Sequence, residues 1–369
     1  MQQDFPSRII WFPLILVLVS CCPSCAPAQA TPPTFDDLAA RAATARDQQN
    51  LPLAIQLYTE AEQLKPDWSE GWWYLGLLNY GSNNFSAAID AFSHYIQLQP
   101  NAGPATALRG LCEFEAGAYD DSLRDIQRGL ALGAAGQPRN EQILRYHLAQ
   151  LLTRAGRFED ALKAYAFFAD KHVSAPEMLV GLGMAGLRVQ ALPKDASPEQ
   201  RDLYLAAGES GFAFMAGDSD GAAQMFNRLF ERYPATPNLH MFYGYLLYPH
   251  DPDLALEEFE REVAIAPNNT PARAILAFTL MLQGRYSDAL PQAERALSEA
   301  PGMEIAELAL GRSLGETGDA KRGIEVLEQV LRLDPKNMEA HIALVAIYSR
   351  EGRREDARRE RMVCLELAK

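Results

Sequence analysis

Apolar residues fall along this chain in amphipathic runs of helical period, two runs at a time with a short polar turn between them. The stretch WWYLGLLNYGSNNFSAAIDAFSHYIQLQP, residues 72–100, shows the pattern: Trp72, Leu75 and Gly76 in one run, Ala88 and Phe92 in the next, Pro100 at the close. The small residue central to the second run recurs at Ala54, Ala88, Ser122, Ala161, Ala222, Ala255, Ala289, Gly323 and Ala357, in steps of 34, 34, 39, 61, 33, 34, 34 and 34 residues. Four positions after it stands a larger residue in most copies, namely Tyr58, Phe92, Ile126, Tyr165, Phe226, Phe259 and Leu327, with Ala293 and Arg361 as exceptions. Twelve positions after it stands Pro66, Pro100, Pro234, Pro267, Pro301 or Pro335.

Five positions before the small residue comes Gly117, Gly156, Gly217, Gly284, Gly318 or Gly352, with Asn83 in the second copy. A chain leaving one helix for an antiparallel partner needs a left-handed residue, which Gly and Asn adopt at least steric cost. Proline then stops the second helix, since it has no N–H and clashes with the preceding turn. The spacing therefore predicts nine or so helix hairpins in phase over residues 35–369.

This pattern resembles the tetratricopeptide repeat, W-x2-L-G-x2-Y, then A-x3-F, then P over 34 residues. The second copy matches it at Trp72, Leu75, Gly76, Ala88, Phe92 and Pro100, with Asn79 in place of the aromatic; others keep Tyr243-Gly244 with Ala255, Phe259 and Pro267, or Leu310-Gly311 with Leu327 and Pro335. The resemblance implies an all-α fold, a right-handed α-solenoid of nine to ten antiparallel helix pairs with an open concave groove. It also implies that the groove is lined by the first helix of each pair, at sites that include Trp73, Leu77, Tyr80, Phe114, Tyr146, Tyr204, Phe214, Met241, Tyr245, Tyr248, Phe278 and Met281. Two readings of these side chains stay open: anchors for an extended or helical peptide, or rings packed between neighbouring helices. The Lys and Asn residues by which some members hold a chain terminus have no counterpart at Trp73, Leu77, Phe114 or Tyr146.

Between Ala161 and Ala222 the step of 61 falls short of two repeats. PEMLVGLGMAGLRV, from Pro176 to Val189, reads as a first helix, and QALPKDASPEQ, residues 190–200, breaks the period before a new helix near Arg201. The expected organisation is an N-terminal array over 31–175, a degenerate repeat and linker over 176–200 forming a kink or a hinge, and a C-terminal array over 201–369. The latter ends in a capping helix whose polar outer face carries the six arginines between Arg350 and Arg361.

Residues 1–30 read as an export signal: Arg8, an apolar run from Ile9 to Val19, and small residues ending Ala28-Gln29-Ala30. Eleven apolar residues are too few to span a bilayer core, which takes about 20. Leu18-Val19-Ser20-Cys21 resembles a lipobox, which would leave a lipid anchor on Cys21; cleavage after Ala30 would leave none. Under that cleavage only Cys112 and Cys364 remain, 252 positions apart, and these read as separate thiols on helices.

A net charge of −14 disfavours nucleic acid, whose binding needs a basic face. The six histidines, His94, His147, His172, His240, His250 and His341, show no metal-ligand spacing, and no phosphate-binding loop or nucleophile elbow occurs. Gly181-Leu182-Gly183-Met184-Ala185-Gly186 mimics a dinucleotide fingerprint only loosely, having no strand before it. The expectation is a non-enzymatic adaptor of the bacterial envelope, without cofactor or metal, exported to the periplasm or beyond, and binding a protein or peptide in its groove. The alternatives are a lipoprotein that helps assemble a pilus, secretin or barrel complex and, remotely, an enzyme of envelope processing. Oligomeric state stays open.

Overall fold

A computed structural model describes residues 32–136 and 138–368. The export signal, with its lipobox and Cys21, lies outside the described residues. Among those described there are nineteen α-helices, one 3-10 turn and no strand. No helix there is long and apolar enough to cross a membrane. The fold is all-α, a solenoid of helix pairs, and its contacts group into two compact units, one ending at Lys65 and the other running from Pro66.

The first unit holds α1 (Phe35–Asp47) and α2 (Leu51–Leu64). Leu38, Ala42 and Ala45 of α1 and Ala54, Leu57, Tyr58 and Ala61 of α2 are its buried apolar residues. The turn is made by Gln49 at φ 58°, a left-handed residue at the position that Gly or Asn fills elsewhere.

The second unit repeats this hairpin: α3 (Ser69–Gly81) with α4 (Phe85–Leu98), α5 (Gly103–Glu115) with α6 (Tyr119–Ala131), α7 (Pro138–Arg154) with α8 (Phe158–Asp170). After the interruption come α10 (Pro198–Met215) with α11 (Ser219–Arg232), α12 (Leu239–Leu247) with α13 (Pro252–Ile265), and α14 (Thr270–Leu282) with α15 (Tyr286–Glu299). The last pairs are α16 (Glu304–Thr317) with α17 (Ala320–Leu333) and α18 (Met338–Arg350) with α19 (Arg354–Leu367). The small residues Ala88, Ser122, Ala161, Ala222, Ala255 and Ala289 have no exposed surface, and neither do Phe92, Ile126, Tyr165, Phe226 and Leu327 four places on. In four hairpins the partner is a glycine of the first helix: Gly76 for Phe92, Gly110 for Ile126, Gly244 for Phe259 and Gly311 for Leu327. A Cβ on Gly76 would strike the Phe92 ring, and one on Gly244 the Phe259 ring, so the missing side chain makes the slot that the ring fills. Asn83, Gly117, Gly156, Gly217, Gly284, Gly318 and Gly352 all have positive φ. Each recurrent proline sits two residues past a helix end, where its ring disfavours helical backbone in the residue before it.

The 61-residue step is a unit with one helix missing. Helix α9 (Pro176–Gly186) is a first helix, but a 3-10 turn at Pro193–Asp195 stands where its partner would be, and α10 follows at once. Helix α10 begins at Pro198 rather than near Arg201, because Ser197 caps it by accepting from Gln200 N at 3.4 Å. Within residues 176–200 Leu192 is fully buried, and α9 and α10 touch backbone to backbone, with no room for a Cβ on Gly183 beside the Tyr204 carbonyl or on Gly208 beside that of Leu179. The glycines of the pseudo-fingerprint are thus packing residues; Gly186 lies against the Phe242 ring.

Of helix α19 only Ala357 is buried. Arg350 is no part of its polar face, since Nη1 donates to the Gly315 carbonyl at 2.8 Å and its guanidinium pairs with Glu316. Cys112 and Cys364 are free; burial pushes the Cys112 thiol up to about 12, aided by Glu113.

Candidate functional site

The first helices of the second unit present two apolar recesses. The smaller, about 350 Å³, is lined by Trp73 and Tyr80 of α3, Pro104, Ala107, Leu108 and Leu111 of α5, and Asn140, Ile143 and Leu144 of α7, with Ala134 from the preceding turn. Trp73 is held edge-on to Phe92 (ring centres 5.9 Å) and tilted on Tyr95 (5.4 Å), and Tyr80 stands edge-on to Phe85 (6.3 Å). These rings are half-buried, one side on the core and the other on the recess. Burial, with Cys112 and Glu115 nearby, raises the Tyr80 hydroxyl above its ordinary range.

The larger recess, about 550 Å³, is lined by Tyr245, Tyr248, Pro249, Phe259, Pro271, Ile275, Phe278, Thr279, Met303 and Ile305, and on another side by Glu159 and Arg188. Its polar wall joins Glu159 of α8 to Arg188 just past α9. At the end of α9, Val189 N donates to the Met184 carbonyl (2.8 Å) and Arg188 is left-handed at φ 58°, a helix-ending turn of the kind usually given to glycine. Asn238 Nδ2 donates to the Leu187 carbonyl at 3.0 Å and so ties this turn to the start of α12. Asn238 is itself fixed through Glu262, whose buried carboxylate accepts from Asn238 N (2.7 Å), Asn269 Nδ2 (2.8 Å) and Met241 N (3.3 Å). From that anchor the Arg188 guanidinium lies over the Phe158 ring (4.7 Å) and donates to Glu159 at 2.6 Å. The Tyr245 hydroxyl is raised by burial first and then by Glu159 and Asp160, and that of Tyr248 by burial and Glu339.

Of the sequence-predicted groove residues, Trp73 and Tyr80 meet in one recess and Tyr245, Tyr248 and Phe278 in the other. Leu77 and Tyr146 are half-buried and line neither. Phe114, Tyr204, Phe214, Met241 and Met281 are buried and belong to the packing between helices, which corrects their assignment to an open groove. For Tyr204 the cause is the glycine contact of α9 with α10, where the first helices approach too closely to leave a furrow. Pro104, Ala107, Leu111, Ile143, Pro271 and Ile305 occupy groove positions of the repeat, where their side chains look like those of ordinary helix residues. Glu159 and Arg188 have no signal in the repeat spacing at all.

Among the described residues no three His, Cys, Asp or Glu side chains gather as a metal site. The buried imidazoles His240 and His341 are structural, held by Glu258 at 2.6 Å and Glu360 at 2.7 Å.

Comparison with known proteins agrees with this architecture. A family model described as tetratricopeptide repeat matches residues 39–103, 146–210 and 213–270, and a second of the same description matches 314–360. Among curated proteins, Protein CTR9 homolog of Arabidopsis thaliana is 35% identical over 100 residues, 27% of this chain and 9% of that protein, so the chain spans less than a tenth of that relative's length. Among solved structures, MamA 41-end from Desulfovibrio magneticus RS-1 is 22% identical, with a TM-score of 0.40 over 44% of this chain and 93% of that one. The P58(IPK) TPR domain is 15% identical, with a TM-score of 0.31 over 90% and 92%. With its first model alone matched over more than half of the chain, the chain belongs to the tetratricopeptide repeat family.

Proposed function

We propose that the chain is a scaffold that takes a peptide or protein segment along its first-helix face, and that it works in the bacterial cell envelope after export. Repeat scaffolds of this family act by binding partners. The observation that carries the binding surface is the pair of recesses, where Trp73 and Tyr80 on one side and Tyr245, Tyr248 and Phe278 on the other turn half-buried rings toward open space. Large rings with a polar edge are the usual energetic anchors of a peptide interface. Export rests on the apolar run Ile9–Val19 and the small residues up to Ala30.

Cross-linking capture from an envelope fraction tests the surface. Tyr80→Ala with Trp73→Ala should weaken capture, but Trp73 also rests on Phe92, so the cleaner variant is Ile143→Asn, which changes a 39% exposed recess residue. Unchanged helical content and melting temperature with lost capture is the expected result; capture that survives all three changes would remove the recess from the binding surface.

A second reading, an envelope assembly lipoprotein, is favoured by Leu18-Val19-Ser20-Cys21 directly following the apolar run. Mass spectrometry of the mature N-terminus separates the two, through a start at Thr31 or an acylated Cys21.

A further inference from the structure

Three hairpins tie their first helix to the proline that follows the preceding helix. Six residues past that proline, Trp72 Nε1 donates to the Pro66 carbonyl at 2.9 Å, Arg273 Nη2 donates to that of Pro267, and His341 Nε2 stands 3.1 Å from that of Pro335. Indole and guanidinium hold their protons across the ordinary pH range; imidazole does not. The other ring nitrogen of His341, Nδ1, stands 2.7 Å from Glu360 Oε2 of α19. A carbonyl and a carboxylate only accept, so both contacts are bonds only if the ring carries two protons, or if one proton sits on Glu360 and the other on Nε2. Either way the pair holds one proton more than a neutral ring beside a free carboxylate. A single carboxylate contact makes no such demand. His240, six residues past Pro234, has Nδ1 at 2.6 Å from Glu258 Oε2, which the neutral ring with its proton on Nδ1 satisfies.

The pair matters because little else fastens α19, in which Ala357 is the one buried residue. His341 is buried too, so loss of the proton would set two acceptors against each other out of reach of water. The neighbouring charges have partners of their own. On α19, Asp356 binds Arg353 at 2.7 Å and Arg359 at 2.8 Å, and Arg359 lies 3.6 Å from the other Glu360 oxygen. Glu328 of α17 accepts from Tyr348 at 3.3 Å, Asp334 accepts from Lys336 N at 3.0 Å, and Glu304 of α16 accepts from Asn337 at 2.6 Å. Glu339 stands two residues before His341 on α18. Glu307, at the place of His341 one hairpin earlier, has its carboxyl raised by burial and then by Glu304, and contributes a pH slope of the same sign.

We propose that His341 and Glu360 form a pH-sensitive latch on the terminal hairpin, closed while the pair holds its extra proton and loosened as that proton leaves. The closed hairpin binds a proton that the opened one releases, so the latch is full at low pH and is lost as pH rises through the histidine range, between about pH 5 and 8. Opening frees α19 from α18 at the end of the array. The latch uses no residue of either recess and does not rest on their occupancy.

The test follows amide hydrogen exchange of α18 and α19 in the exported chain at about pH 6 and pH 8, corrected for intrinsic exchange and referred to α14–α15. Protection of α19 in the parent should fall about tenfold between the two. Glu360→Gln should abolish the fall and leave α19 better protected than the parent at the higher pH. A glutamine amide can donate to a bare Nδ1 while Nε2 keeps its proton for Pro335, so the neutral ring then satisfies both contacts. His341→Arg, which places here the donor that Arg273 supplies two hairpins earlier, should likewise flatten the profile. Equal protection of the parent at both pH values would overturn the latch. So would a Glu360→Gln chain that keeps the parent's slope, since the fall would then belong to Glu307 or another group. The near-isosteric Gln variant decides the matter alone should the Arg variant fail to fold.

Discussion

The hairpin α3–α4 and the contact α9–α10 both depend on glycine, and they use it differently. In the hairpin, Gly76 clears a slot for the Phe92 ring, so the close approach is between backbone and a side chain that can yield. At the interruption, Gly183 and Gly208 clear space for carbonyl groups of the facing helix, so the approach is backbone to backbone. The first arrangement tolerates drift in sequence, which is how Ala293 can stand where other copies have a ring. The second has no adjustable partner. It replaces a whole missing helix, and it also brings Arg188 to the wall of the larger recess.

The largest effect should follow from Gly208→Ala. The new methyl would meet the Leu179 carbonyl, and relief requires α9 and α10 to separate. Overpacking against backbone should cost about 3 kcal/mol or more, read as a fall in the denaturation midpoint and lost protection of Leu192 and its neighbours in hydrogen exchange. Gly76→Ala should cost less, about 1–3 kcal/mol, and Phe92→Leu in the same chain should recover part of it. No such rescue is available at position 208. A double-mutant cycle checks this, and purely additive losses at 76 and 92 would contradict the slot.

This contrast also explains what could be read from the sequence. The hairpins were legible because small residue, ring, glycine and proline recur at fixed spacing, and each spacing answers a steric need that the structure shows unchanged. The unit lacking its second helix left only a short step and a Pro-Ser interruption, which read equally well as a linker. The glycines that make it a tight joint lie in a nearly all-apolar run without period. In the site, tyrosines were found because rings at first-helix positions stand out. Pro271 and Ile305, equally placed, look like ordinary helix residues, and Glu159 with Arg188 come together through the turn that ends α9, which no repeat spacing marks.

The hairpin α5–α6 differs from α3–α4 in carrying an ion pair between its two helices. Arg109 is shared between Asp125, at 2.5 Å from Nε, and Glu113, at 3.8 Å. Burial first, and then Asp125, push the Glu113 carboxyl up to about 7, with Arg109 opposing. Its folded value is therefore above its unfolded one, so the stability it contributes is full below about 4.5 and is lost as pH rises toward 7. Glu113→Gln should remove that slope and leave the protein more stable than the parent above pH 7, by on the order of 1 kcal/mol. Urea midpoints at pH 5 and pH 8 measure it. Parallel pH profiles for the two proteins would show that Glu113 titrates at its ordinary value.

The smallest effect concerns whether the turn of the first unit obeys the same rule as those of the second. Gln49 is exposed and left-handed at φ 58°, where six other copies have glycine and one has Asn83. A side chain with a Cβ is strained there by about 1–2 kcal/mol relative to the right-handed form, and glycine escapes that strain while adding freedom to the unfolded chain. Gln49→Gly should accordingly gain no more than about 1 kcal/mol. Gly117→Gln, the same exchange reversed at φ 81° with nothing crowding the position, should lose a similar amount. Opposite signs in thermal denaturation would establish that the backbone conformation sets the residue at both turns. A loss at both positions would mean that Gln49 contributes through its side chain.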